Sequence, residues 1–516
     1  MTPDSLRQLL FGFLAGSQAA VVVEDGAVTF DLAEAKYSIS GEHNKCLLHL
    51  WSSERNMVRR VLDAEVRETS LRLLVQRMGQ TRPARLEFFR DRERRSPAAC
   101  QIARVAYAVR LQRALERHFP AWKLASVTTR MDLHRSFGPA YLRALIQQGQ
   151  RALAVVGVNA RETQPTIDGA LACGLLWLDA CRTSHRNRGV VEGLVLVLPA
   201  GSAMVTQQRM AHLHPSAAKW MLHEFNEAED TVTPADIGDG NLATRLVRAP
   251  DETSARDRFA SAIERITAIL PQCEHSVLSS AAISFRLRGL EFAQARIAHD
   301  PRTLQSGVEI VFGVGPEERV LEQRNEEEFA ALVHLAARIR HKDGPKAHPL
   351  WRMHPERWLE SLVFRNLSAI DSRLRTDYVY AQVPAFSAGD RGMIDLLGLT
   401  RDNRLAVVEL KADEDIQLPL QGIDYWSRVA WHQERGEFRQ FGYFPGVEIS
   451  ARKPLLVLVA PALHVHPSND VVLRYLSPDI EWELIGVDEH WRQGVRSVFR
   501  KRPGDLSDRA LRQKTG

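Results

Sequence analysis

The apolar positions of this chain come in short runs with two periods. In residues 19–24 and 27–32 they crowd on either side of Asp25-Gly26, a pair that favours a tight hairpin. Runs at 37–39 and 45–51 continue as strands. In residues 53–78, Val58, Val61, Leu62 and Val66 recur at three- and four-residue spacing, which predicts a helix with Arg55, Arg59 and Arg60 in its first half. Those arginines are either a solvated helix face or a phosphate-contacting patch beside Trp51. Pro97 opens a second predicted helix to His118, with Ile102, Ala106, Val109 and Leu115 inward. Further along, 253–270 and 326–340 read as helices, and 283–292 and 308–314 as strands. Lys342-Asp343-Gly344-Pro345 stops the last helix and reads as a linker. The punctuation predicts a small α/β domain over 1–84, an α/β domain over 85–250, a helix-and-strand connecting region over 251–345, a further domain over 346–495 and a basic tail over 496–516.

The densest chemistry lies in residues 392–426. Residues 393–399 form an apolar run broken by Asp395, and 400–404 (TRDNR) read as a turn. Residues 405–411 alternate, so that Leu405, Val407, Glu409 and Lys411 share one face. Folded as a hairpin with Leu399 opposite Leu405, the stretch sets Asp395 facing Glu409. Opposed Cβ atoms stand roughly 4.5–5.5 Å apart, and like charges there repel. Apolar flanks make two bare carboxylates costly. Lys411 supplies one positive charge, and a divalent cation held by oxygen ligands is the natural second. The plain alternative is an amphipathic hairpin with a stray acid pair and a snorkelling lysine.

Gly392-Met393-Ile394-Asp395, followed by Glu409-Leu410-Lys411, resembles the D…(D/E)xK core of the PD-(D/E)xK nuclease superfamily. Gln421 and Tyr425, four residues apart on a predicted helix, are similar to the QxxxY motif of its RecB-type members. The proline usual before the first acid is missing; a Gly-x-apolar-Asp form stands in its place. The resemblance covers residues 350–490. It implies an α/β fold with a C-terminal restriction-endonuclease-like mixed sheet flanked by helices. It also implies a Mg²⁺ or Mn²⁺ ion on Asp395, Glu409 and the main-chain carbonyl of Leu410. Glu360, on the domain's first helix, would complete the acidic site, with Glu356 as second choice and His354 as a further candidate ligand. Lys411 would orient or deprotonate water or bind the scissile phosphate, and Gln421 and Tyr425 would hold the DNA strand or buttress the site. The implied activity is divalent-metal-dependent DNA hydrolysis, in repair or in defence against foreign DNA. The alternative is a nucleic-acid-binding or scaffolding protein with a relic site.

Residues 153–163 (LAVVGVNARET) and 405–415 (LAVVELKADED) begin with the same four residues. Each is followed by a Trp-containing helix and then by an apolar strand ending in proline, 194–199 and 455–461. Two readings are open. Either residues 85–250 are a degenerate copy of the nuclease-like domain, with Gly157 in the place of Glu409 and Asn159 in that of Lys411, or LAVV is simply what buried strands look like.

Composition narrows the partners. The net charge is +5 and the sequence pI is about 9.0, which favours a polyanion. The five cysteines lack a CxxC pair, which excludes a zinc knuckle and a disulfide framework and fits a reducing compartment. No run reaches the roughly 20 apolar residues of a membrane span, and the N-terminus lacks a basic lead. A cytoplasmic location is the expectation.

Overall fold

The computed structural model describes residues 1–506, except 16, 18–19, 25–26, 33–34, 43–44, 53–55, 68–69, 78–82, 91–96, 185–188, 240–243, 300–305, 316 and 388–389. The chain is a multidomain α/β protein with several sheets flanked by helices. It divides into two compact units, each assembled from two separated stretches: Met1–Arg94 with Ala249–Ser361, and Arg95–Arg248 with Leu362–Gly516. The units thus interleave along the chain, where the punctuation of the sequence predicts a linear succession.

In the first unit, seven antiparallel strands between Val21 and Phe89 form one sheet, onto which the helix Pro3–Leu14 lays Leu6, Leu10 and Phe13. The helix predicted over 53–78 is instead two strands, Asn56–Val66 and Ser70–Arg77. The reason lies in their pairing, which shifts register between Val61 and Asp63. Such a bulge moves the inward positions by one residue, and an alternating pattern then imitates helical spacing. Arg59 is not a free phosphate contact, because its guanidinium forks onto Glu24. Arg55 and the Asp25-Gly26 turn lie outside the described residues. The predicted strands near 283–292 and 308–314 appear in a five-stranded antiparallel sheet, with the helices Ala260–Ile269 and Glu326–Ile339 supplying its core.

The second unit holds two sheets of one topology. The middle stretch runs α1 (Pro97–His118), β1 (Lys123–Thr128), β2 (Tyr141–Gln148), β3 (Arg151–Val158), α2 (Ala170–Thr183), β4 (Val190–Pro199), α3 (Met204–Met210), β5 (Lys219–Asn226) and β6 (Thr231–Ala235). The C-terminal stretch runs α4 (Pro355–Arg365), β7 (Leu374–Ser387), β8 (Asp390–Thr400), β9 (Leu405–Leu410), α5 (Leu418–Glu434), β10 (Leu455–Pro461), α6 (Asn469–Arg474), β11 (Trp482–Val487) and β12 (Ser497–Lys501). Helix α4 begins in the first unit and ends in the second. In both sheets the strands lie side by side in chain order, and the short strand Thr244–Leu246 is added outside β7. Directions agree as well: β1/β2, β2/β3 and β5/β6 are antiparallel and β3/β4 and β4/β5 parallel, as are their partners from β7 to β12. Strands β4, β9 and β10 are buried over most or all of their length, which is why they read as unbroken apolar runs.

The repeat is real in topology, yet the shared LAVV is not its signature. Gly174 of α2 packs on Leu194 and Leu196, which pair with Ala154 and Val156. Gly422 of α5 packs on Leu456 and Leu458, which pair with Val407 and Glu409. The face of β9 bearing Leu405, Val407 and Glu409 therefore meets the crossover helix. The face of β3 bearing Leu153, Val155 and Gly157 meets α1, where a Cβ on Gly157 would stand 2.4 Å from Leu111 Cδ2. The identical tetrapeptides point to opposite sides of their sheets. Anchored on the glycine–leucine contacts, Glu409 corresponds to Val156 and Lys411 to Val158, not to Gly157 and Asn159. Helix α1 also turns differently from its predicted face: Tyr107, Leu111, Ala114 and Leu115 are inward and Val109 is exposed.

The copies pack about a local two-fold. Helix α3 lies against α5 and α6 against α2. Arg209 of α3 forks onto Asp424 of α5, and Arg474 of α6 reaches Asp179 of α2 at 3.5 Å. On the dyad Leu213 bridges Leu476, flanked by His214 N–H to Tyr475 O and Ser477 N–H to His212 O. The predicted basic tail is in part structure: Ser497–Lys501 is the edge strand β12, and Arg500 and Arg502 pair with Glu483. The rest of that tail, from residue 507, lies outside the described residues.

Candidate active site

The hairpin register is the one the sequence predicts, with Leu399 opposite Leu405 and Leu396 opposite Val408. The paired register ends there; continued by one step it sets Asp395 toward Glu409, and Asp395 Oδ2 accepts the Leu410 N–H at 3.0 Å. Asp395 is half-buried, and Glu409 is 3 % exposed. Lys411, also largely buried, places Nζ 3.4 Å from Glu409 Oε1. Asp395, Glu409 and Lys411 therefore share one small volume at the C-terminal end of β9. Buried charges persist only where opposite charge and hydrogen bonds offset desolvation, and among the described residues Lys411 sets one such charge beside the two acids.

Leu410 turns its N–H toward Asp395 while the next residue, Lys411, donates to Val459 O of β10. In extended backbone the carbonyl of a residue faces the same neighbour as its N–H, so the Leu410 carbonyl is on the Asp395 side.

Gln421 and Tyr425 stand one turn apart on α5, both half-buried. Their helix lies on the sheet face that carries Glu409, because Gly422 brings it to the Glu409 neighbour Leu458 with no room for a side chain. The Gln421 side-chain oxygen is buried with no hydrogen-bond partner among the described residues. The Arg428 guanidinium lies 5.7 Å from the Tyr425 ring centroid.

Glu360 is 5 % exposed on α4, and Arg357 Nη1 donates to its Oε2 at 2.7 Å. His354, one residue before α4, has a left-handed backbone (φ 47°), and burial pushes its imidazole pKa down. Among the described residues, no group of three or more Asp, Glu, His or Cys side chains is placed to hold a metal ion.

One residue beside the acids escapes sequence reasoning. Gln382 lies in β7 opposite Asp395, between the pairs Ala381–Leu396 and Val383–Ile394, yet its φ is 56°. Left-handed backbone inside a strand costs of order 1–3 kcal/mol and gathers at functional sites. Here it swings Nε2 to a long contact, 3.4 Å, with Asp395 Oδ1. No sequence signal marks it, since neither glycine nor asparagine announces the bend.

No family model matches the chain, and no curated protein matches it. Among solved structures it is similar to a repair endonuclease from Pyrococcus abyssi, at 10 % identity and a TM-score of 0.16, over 40 % of this chain and 92 % of that one. A likeness of that size carries no weight in assigning a function. Among the described residues, no helix is long and apolar enough to cross a membrane.

Proposed function

We propose that this chain is a divalent-metal-dependent nuclease that hydrolyses DNA phosphodiester bonds. The observation that carries the reading is the convergence of Asp395, Glu409 and Lys411 at the end of β9. Asp395, Glu409 and the Leu410 carbonyl make an all-oxygen donor set. Two carboxylates and a carbonyl suit Mg²⁺, which keeps several waters and shares its remaining positions with phosphate oxygens. Glu360, engaged by Arg357, is left out of this set.

When bound, the cation supplies an acidified water and neutralises charge building on the phosphoryl group. The protein's own groups do the rest. Lys411 offers up to three N–H donors next to Glu409, positioned to hold the attacking water or a non-bridging phosphate oxygen. The Lys411 ammonium beside Glu409 offsets part of the repulsion between the two acids. The Leu410 N–H fixes the Asp395 carboxylate, so that no reorganisation of that group is needed as charge develops. Gln421, with its buried side-chain oxygen lacking a partner among the described residues, and Tyr425 are placed to contact the substrate strand.

The test is a panel of single-stranded, duplex and branched DNA with Mg²⁺ or Mn²⁺. Wild type should cut at least one member, and Lys411→Ala should lower that rate at least a hundredfold. Equal rates for the two proteins across the panel, or no cutting by either, would leave the chain as a nucleic-acid-binding protein with a relic site.

A further inference from the structure

The topological repeat sets a second residue in the place of Asp395. Val156 corresponds to Glu409, and the residue opposite Val156 on β2 is Arg143. Where one copy carries an acid, the other carries a guanidinium. Arg143 is 2 % exposed and stacks 4.4 Å from the Phe137 ring centroid and 5.7 Å from that of Trp177. Its Nη2 donates to the Arg130 carbonyl, and its Nε is buried with no hydrogen-bond partner among the described residues. No carboxylate lies within ion-pair distance of it among the described residues. A buried guanidinium paired with no carboxylate is costly, and burial pushes its pKa down against the opposing pull of Cys173 and Asp132.

Arg143 lines an open cavity of about 480 Å³. The rim adds Arg130, His134 and Arg135, all exposed. The one acid among the described lining residues, Asp132, is occupied in capping the short turn Leu133–Arg135 through the Arg135 N–H. Leu133 and Met131 stand 81 % and 60 % exposed beside it. A planar guanidinium whose Nε has no partner among the described residues, further cations at the lip and exposed apolar side chains around it match a phosphate group carrying a base or sugar.

We infer that the Arg143 cavity of the middle copy is a phosphate-binding site, formed where that copy carries an arginine in the place of Asp395. A DNA strand as the source of the phosphate rests on the nuclease reading above; the phosphate site itself does not.

The test measures binding to the full chain carrying Lys411→Ala, with chelator present so that nothing is cut. A labelled 12-nucleotide single strand is titrated by fluorescence anisotropy, and inorganic phosphate and a nucleoside monophosphate are added as competitors. Arg143→Gln should weaken binding at least tenfold. Arg130→Ala with Arg135→Ala should weaken it several-fold and flatten its salt dependence. The rim pair is exposed, so it decides the matter if Arg143→Gln fails to fold by its melting curve. Competition by phosphate or mononucleotide at millimolar levels marks a small-anion site; binding of the strand alone marks a polynucleotide site. Native-melting variants that bind strand, phosphate and nucleotide as tightly as the parent overturn the inference. Since no step here involves cleavage, an inactive hairpin site would not produce that outcome.

Discussion

At the scale of single residues, the sequence displays its acids and lysine but conceals the group that props one of them. Asp395, Glu409 and Lys411 stand out because charges inside apolar strands are uncommon. Their register comes from a short turn that leaves one pairing. Gln382 is invisible because its importance comes from the path of β7, and that path is set by pairing to β8. Its left-handed φ yields a prediction. Gln382→Gly, which accepts that backbone, should leave the melting temperature near or above wild type while slowing cleavage several-fold. Gln382→Val should lower stability by about 1–2 kcal/mol, because a β-branched residue resists positive φ. Denaturant unfolding alongside initial cleavage rates checks both. Two variants with equal stabilities would argue against the strain.

At the scale of elements, periodicity serves where a strand or helix is regular and fails where it is interrupted. The helix Glu326–Ile339 was legible from its spacing, β9 and β10 from their apolar runs, and α1 as a helix opened by Pro97 although its spacing pointed to the wrong face. The bulge near Val61 defeats the same reasoning, since one extra residue turns a period of two into something like three and a half. The shared LAVV misleads in another way, because composition cannot show which side of a sheet a residue faces. Packing between α1 and β5 carries a pH dependence of its own. His223 on β5 is buried against His118, and burial, helped by the neighbouring imidazole, lowers its pKa to about 4. The folded state thus favours neutral His223, and its contribution is complete above the unfolded value of roughly 6.5 and lost as pH falls toward 4. Melting temperature should decline over that interval, and His223→Phe should flatten the decline. An unchanged slope in the variant would contradict the assignment. At lower pH a second group takes over. Burial alone would raise the Asp371 carboxyl, but Arg373 and Arg500 bring it down to about 2, so its stabilising effect fades only between about pH 4 and 2.

At the scale of the molecule, the second unit is built like a two-fold dimer within one chain. Isologous contacts repeat each interaction on both sides of the axis, and the hydrogen bonds His214 N–H to Tyr475 O and Ser477 N–H to His212 O do so here. The ion pairs Arg209–Asp424 and Arg474–Asp179 sit at non-equivalent positions of the two copies. They differ in burial, which separates their energetic weights. Arg209 and Asp424 are both largely buried, so Asp424→Ala strands a buried guanidinium and should cost about 3–5 kcal/mol. Asp179→Ala touches a more exposed pair and should cost under about 1 kcal/mol. Similar losses in the two variants would refute this weighting. The interleaving of the units and the packing of the copies on each other were not legible in the sequence, because both depend on contacts between distant residues; the repeat itself was legible as one of two readings, from its order of strand, Trp-containing helix and proline-ended strand. The copies differ at corresponding places: one has two acids and a lysine, and the other has an arginine opposite Val156.

The acid pair is proposed as a cation site with Lys411 as its neighbouring charge. Titration of Mn²⁺ into the protein, read by the loss of free-ion paramagnetic signal, tests this most directly. Asp395→Asn and Glu409→Gln should each weaken binding at least tenfold, while Lys411→Ala should bind Mn²⁺ at least as tightly as wild type, since a competing cation 3.4 Å from Glu409 has gone. Mn²⁺ affinity unchanged in both acid variants, or no binding by wild type at millimolar concentration, would contradict it.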